Sequence, residues 1–128
     1  MSIMYVLLVG AGGFLGSIAR YLTVISIDKR LNSVMPLGTL TVNIVGSFIL
    51  GFVLALAMKK TGAHFHEWKL FMGTGFCGGF TTFSAFAAEN LNLFEQKFPG
   101  TAFLYITVSV AAGLLAIWLG FIVAKSIL

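Results

Sequence analysis

Gly73-Thr74-Gly75-Phe76-Cys77-Gly78-Gly79-Phe80-Thr81-Thr82-Phe83-Ser84-Ala85-Phe86 lies inside an uncharged run from Leu70 to Ala88, long enough to cross a bilayer. Its centre is a poor helix. Adjacent glycines, an aromatic and paired β-branched threonines all weaken helix continuity. A helix broken at membrane depth leaves amides and carbonyls without intrahelical partners. Such backbone survives only when buried in protein or lining a wet cavity. Packing alone has no use for that arrangement, so the segment reads as a site for ions or small solutes.

Outward from this stretch the chain is apolar almost throughout. Its 128 residues are 59% hydrophobic and only 9% charged, with a mean hydropathy of +1.01. Those values exclude a disordered chain or an ordinary soluble domain and point to an integral membrane protein. Four apolar runs, roughly Ile3–Leu22, Leu37–Met58, Leu70–Ala88 and Thr101–Ala124, each suffice for one crossing at about 20 residues per span. The connectors are short. The expected architecture is therefore all-α, one domain over residues 1–128, with four transmembrane helices of which the third is broken. The first run lacks a basic leader and a cleavage pattern before Arg20, so it is expected to be a permanent helix rather than a signal. Cys77 is the single cysteine, which excludes an intrachain disulfide.

The net charge of +4 comes from basic residues scattered over helix ends and connectors. No basic face offers itself to nucleic acid, and anionic lipid headgroups are the fitting partner. With four spans, one side of the bilayer carries Lys59, Lys60, Lys69 and Lys125, and the other Arg20, Lys29, Arg30 and Lys97. Positive charge near helix ends ordinarily sets orientation, and here it is balanced. A chain without preference inserts both ways, and two opposed copies can pair as an antiparallel dual-topology homodimer. A thin bundle also needs a partner to cover Thr39, Asn43, Thr81, Thr82 and Ser84, which are costly against lipid.

Along the chain, Gly12, Gly16 and Arg20 fall on one helix face. The glycines suit close helix approach, and Arg20 either snorkels to headgroups or satisfies buried carbonyls. In the second run Thr39, Asn43, Gly46 and Leu50 share a face. The Asn43 amide offers two donors, suited to an anion or to an interhelical hydrogen bond. His64, His66 and Glu67 could ligate a metal, but their spacing matches no strong zinc pattern; Trp68 reads as an interfacial anchor. In the third run Phe76, Phe80, Phe83 and Phe86 alternate with hydroxyls, and Glu89 follows one turn later. Positive ring edges, hydroxyls and amides can together solvate an anion without a fixed cation, keeping binding weak enough for conduction. Tyr105, Ser109 and Gly113 form a further lane in the fourth run.

Gly12-xxx-Gly16-xxx-Arg20-Tyr21, Gly38-Thr39-Leu40-Thr41-Val42-Asn43 and Gly78-Gly79-Phe80-Thr81-Thr82-Phe83-Ser84 occur in order on successive runs. In these motifs the chain resembles the Fluc (CrcB) fluoride channels over essentially its whole length. The resemblance implies an antiparallel dual-topology homodimer with two separate pores, passing fluoride passively out of the cytosol across a bacterial-type plasma (inner) membrane. It implies a structural sodium ion held by the Gly78 and Thr81 carbonyls, and no organic cofactor. It also implies a fluoride pathway through Asn43, Phe83 and Phe86, with Thr82, Ser84, Tyr105, Ser109 and Glu89 beside them, and structural roles for Gly12, Gly16 and Arg20. Ala85 and Gly113 stand where the family usually has hydroxyls, so one rung of the polar lane is expected to be missing or replaced by water.

A small multidrug exporter is the main rival reading, since it also uses four helices and dual topology. Such an exporter needs a carboxylate embedded in the first span, and Asp28, Glu67, Glu89 and Glu95 all lie outside that apolar run. A scaffold subunit would explain the glycines but not the hydroxyl-rich third run. No nucleophile–base pair or metal cluster suggests an enzyme.

Overall fold

The computed structural model describes residues 2–60 and 62–128. The chain passes through helix α1 (Ile3–Leu31), helix α2 (Leu37–Lys59), short helix α3 (Ala63–Lys69) and a π-helical stretch (Leu70–Cys77). One turn, α4 (Gly78–Phe80), then helix α5 (Phe83–Glu95) and helix α6 (Pro99–Ile127) complete it. Helices α1, α2 and α6 are each long and apolar enough to cross a membrane, and a chain with three such helices is a multi-pass membrane protein.

Helix α1 is longer than its apolar run. At about 1.5 Å per residue its 29 residues reach about 44 Å, beyond a hydrocarbon core of about 30 Å. The polar stretch expected as a connector from Asp28 to Ser33 is instead helical through Leu31. No glycine or proline interrupts it, and the helix stops only at Asn32, whose φ of 43° is left-handed and whose amide donates to the Asp28 carbonyl at 3.0 Å. The Asp28 carboxylate accepts the Gly38 amide at 3.0 Å, joining the end of α1 to the first turn of α2. Helix α6 likewise outruns its apolar segment, starting with Pro99 in its first turn, where a missing amide costs nothing.

The third apolar run is divided. Helical backbone begins at Ala63, before the run itself, and continues through the π-helical stretch to Phe80. Thr81 (φ −88°, ψ 158°) and Thr82 (φ −152°, ψ 121°) are extended, and α5 starts at Phe83. The π-helical stretch had no expectation in the sequence; such stretches are rare and cluster at functional sites.

Two close helix contacts hold the bundle together. A methyl group on Gly12 would collide with the Phe71 carbonyl oxygen, and one on Gly16 with that of Phe76. From the opposite side, a methyl on Gly75 would lie 2.8 Å from the Val9 oxygen and one on Gly79 2.6 Å from the Gly13 oxygen. Backbone therefore packs on backbone between α1 and the third segment, which is how small residues drive association in lipid. The second contact joins α2 to α6: Gly51 lies against the Ile117 carbonyl and Gly120 against that of Phe48. Few large side chains are fully buried, chiefly Tyr105, Val42 and Val53. Apolar residues such as Leu7, Phe14, Leu114 and Trp118 face outward, as expected where lipid or a second protein chain replaces water.

Candidate functional site

The two extended threonines are clamped from α2. Asn43 Oδ1 accepts the Thr82 amide at 2.8 Å, and Asn43 Nδ2 donates to the Thr82 carbonyl at 3.1 Å. Both polar ends of one side chain thus hold one peptide unit, leaving a single Nδ2 hydrogen for another acceptor. Thr82 then caps α5, its hydroxyl accepting the Ala85 amide at 3.1 Å and lying 3.4 Å from Ser84 Oγ. Thr81 turns its hydroxyl back to the Cys77 carbonyl at 2.8 Å.

This pattern frees backbone groups on both sides of the interruption. Because the Thr82 amide is taken by Asn43, the Gly78 carbonyl loses its helical donor; because the Ala85 amide is taken by Thr82 Oγ1, so does that of Thr81. Among the described residues neither carbonyl accepts a hydrogen bond, and the Phe83 and Ser84 amides find no acceptor. The C-terminal pole of one helix segment and the N-terminal pole of the next therefore lie two residues apart. The first favours a cation and the second an anion.

An open groove of about 290 Å³ runs beside the interruption. It gathers Asn43, Thr81, Thr82, Phe83, Phe86 and Ser109 of the sequence-predicted set, together with Gly46, Ser47, Cys77 and Gly113. No basic side chain lines it. Ser109 lines the groove and its hydroxyl is buried without a hydrogen-bond partner among the described residues. Ser47, one turn beyond Asn43, was not singled out in the sequence, although its four-residue spacing from Asn43 carried the signal. The phenylalanine stripe divides: Phe76 and Phe80 stack on one side at 5.6 Å, while Phe83 and Phe86 pair at 5.7 Å on the other. Phe83 is 80% exposed in the single chain.

Beyond the groove, Phe86 leans on Tyr105, with ring centroids 5.1 Å apart, and Tyr105 leads to Glu89. The Tyr105 hydroxyl donates to Glu89 Oε1 at 2.9 Å and the Thr39 hydroxyl to Oε2 at 2.7 Å. Tyr105 and Thr39 are fully buried side chains. Asp28 on the Gly38 amide and Glu89 on Thr39 thus place two carboxylates at the N-terminal end of α2, where the helix dipole favours negative charge. Glu89→Leu should strand two buried hydroxyls, each costing about 1–3 kcal/mol, whereas Glu89→Gln offers both a partner. Thermal denaturation in detergent should therefore fall steeply for the first variant and little for the second; equal midpoints would mean the carboxylate does not organise the pair.

The remaining predicted residues lie elsewhere. Ser84 is exposed beside Thr82. Gly78 and Thr81, the latter shared with the groove, line an adjoining cavity of about 310 Å³ with Gly73, Thr74 and Lys69. Arg20 reaches from α1 to donate through Nε to the Gly79 carbonyl at 3.0 Å, one residue from the freed Gly78 oxygen. His64 and Glu67 approach to 3.9 Å, but the His66 ring sits edge-on to Tyr5, so the three do not converge.

Comparison with known proteins gives a consistent result. The family described as CrcB-like protein, Camphor Resistance (CrcB), matches residues 7–121. The chain is 42% identical over 119 residues to a protein of Flavobacterium psychrophilum named fluoride-specific ion channel FluC, covering 93% of this chain and 95% of that one. A protein of the same name from Chlorobium chlorochromatii is 44% identical over 121 residues, 94% of this chain and 92% of its own. One from Rhizobium meliloti is 43% identical over 116 residues, 91% and 92% of the two chains. The matched region contains every residue of the groove and of the carboxylate cluster behind it, and the chain belongs to the CrcB-like family.

Proposed function

We propose that this chain forms a passive, fluoride-selective channel rather than an enzyme, letting fluoride leave the cytosol down its electrochemical gradient across a bacterial-type plasma membrane. The supporting observation is the interrupted helix. Phe83, whose amide has no acceptor, Asn43 with its spare N–H and Ser109 with its unpartnered hydroxyl line a groove free of fixed cations, and the Ser84 amide lies one residue beyond it. Such donors reward a small, strong acceptor, and the edges of Phe83 and Phe86 add positive quadrupole density. A lysine in the groove would hold the anion too tightly for rapid exit. Chloride is larger and a weaker acceptor, so it fits a narrow path less well and gains less from the same donors. An interior-negative potential drives export by about 2.3 kcal/mol per charge for each 100 mV.

In this reading the residues from Ala63 to Glu95 make one membrane crossing from two helical segments, the fourth beside α1, α2 and α6. One chain leaves the groove open and Phe83 largely uncovered. An antiparallel second copy would close it and give two pores, and the even distribution of lysine and arginine over the two sides favours such pairing. The resident sodium that the family resemblance implies would be held by the Gly78 and Thr81 carbonyls. Both residues line one cavity and neither carbonyl accepts a hydrogen bond among the described residues, which suits a hard cation that would neutralise the carbonyl pole. Arg20 on Gly79 and Asn43 on Thr82 hold those oxygens in place.

Phe83→Ile and Phe86→Ile should each cut fluoride efflux from proteoliposomes by about tenfold or more, since an aliphatic side chain lacks the positive edge. Size-exclusion profiles should stay as in the parent protein. Efflux at the parent rate in both variants would place the pathway elsewhere.

A further inference from the structure

At the corner between α2 and α3, away from the groove, two adjoining cavities share Lys60 and Phe65. One, of about 420 Å³, is lined by Leu56, Lys60, His64, Phe65 and Trp68. The other, of about 220 Å³, adds Lys69, His66, Gly62 and Ala57. We infer that this corner is a binding site for an anionic phospholipid, with the phosphate in the Lys60–Lys69 cavity and the glycerol and first acyl carbons in the Leu56–Phe65–Trp68 cavity.

Position, charge and shape each favour that occupant. The apolar part of α2 ends at Met58 and lysines follow at once, so the corner lies at the depth of the headgroups. Among the described residues the one ion pair within 4.0 Å is His64 with Glu67, which leaves Lys60 and Lys69 without carboxylate partners. Lys60 Nζ sits 5.5 Å from the Phe65 ring centroid, so its charge is held over the boundary between the two cavities. Trp68 is 40% exposed and presents an amphipathic ring beside the apolar cavity. A soluble anion would use the lysines but leave the larger, apolar cavity unfilled. A zwitterionic lipid would fill the cavity but bring its own cation to the lysines.

Trp68 is a built-in reporter. In a Trp118→Phe background, its fluorescence should be quenched by brominated phosphatidylglycerol in phosphatidylcholine vesicles far more than by brominated phosphatidylcholine at the same mole fraction. The preference should be on the order of tenfold, as two lysines at an anionic surface allow. Lys60→Gln with Lys69→Gln should abolish the preference, whereas Lys59→Gln, which removes equal charge per site but lines neither cavity, should leave most of it. Inorganic phosphate should not relieve the quenching. Equal quenching by the two lipids, equal loss in the Lys59 variant, or relief by phosphate would each overturn the assignment. Fluoride efflux by Lys60→Gln alone, which leaves the cavity shared by Lys69, Gly78 and Thr81 untouched, should match the parent in neutral-lipid vesicles, so this result is read independently of the channel function.

Discussion

Asn43→Asp should reduce fluoride efflux at least tenfold and lower thermal stability. The parent amide gives an N–H to the Thr82 carbonyl at 3.1 Å and takes the Thr82 N–H at 2.8 Å. A carboxylate keeps the second contact and turns the first into two oxygens facing each other, leaving the Thr82 carbonyl unsatisfied at a cost of about 1–3 kcal/mol. The consequence spreads because Thr82 also caps α5 through its hydroxyl, so the amides at the head of that helix lose their fixed aim. The new negative charge would additionally repel fluoride from the groove that Asn43 lines. Asn43→Ser, which has a neutral donor but too short a reach to clamp both atoms, should fall between. Parent-like flux in Asn43→Asp would separate the clamp from conduction.

Gly16→Leu should be the most damaging single change to the fold. Even a methyl at this position meets the Phe76 carbonyl oxygen, with the Phe80 amide nitrogen at 3.0 Å; these are backbone atoms that cannot rotate away. Overpacking typically costs about 1–3 kcal/mol and occasionally more, and against fixed backbone it would also lift Arg20, one turn on, away from the Gly79 carbonyl. Loss of the monodisperse peak on size-exclusion chromatography after detergent extraction is the expected readout. Gly10→Ala is the matched control on the same helix, because nothing lies within 4 Å of the added carbon; it should be neutral or gain about 1 kcal/mol from helix propensity. Similar behaviour of the two variants would mean that the close contact of α1 with the third segment does not hold the bundle.

The long helices were legible because apolar length alone decides a membrane span, and Asn43, Phe83, Phe86 and Ser109 were picked out because polar or aromatic residues stand out against that background. Their partners were harder to read. Nothing in the letters says that Asn43 spends its amide on the Thr82 backbone, since a pairing across 39 residues depends on how two helices are rotated. The same holds for Thr39 and Tyr105 converging on Glu89. The end of α1 was misplaced because the fall in hydropathy after Ile27 marks the bilayer surface, not the end of hydrogen bonding, and Asp28 does its work as a cap beyond that surface. The π-helical stretch has no letter signature beyond glycines, which also suit α-helical packing. The contact of α2 with α6 did carry a signal that went unread: Ser47-xxx-Gly51-xxx-Ala55 faces Ala116-xxx-Gly120-xxx-Ala124, the spacing of small residues that lets membrane helices approach closely.

Fluoride-electrode recording of efflux from vesicles containing only the purified chain tests the central claim most directly. With a potassium ionophore to carry the compensating charge and no proton gradient, fluoride should empty rapidly while chloride in parallel vesicles stays trapped. Vesicles that retain fluoride, or that release both halides at similar rates, would contradict the account.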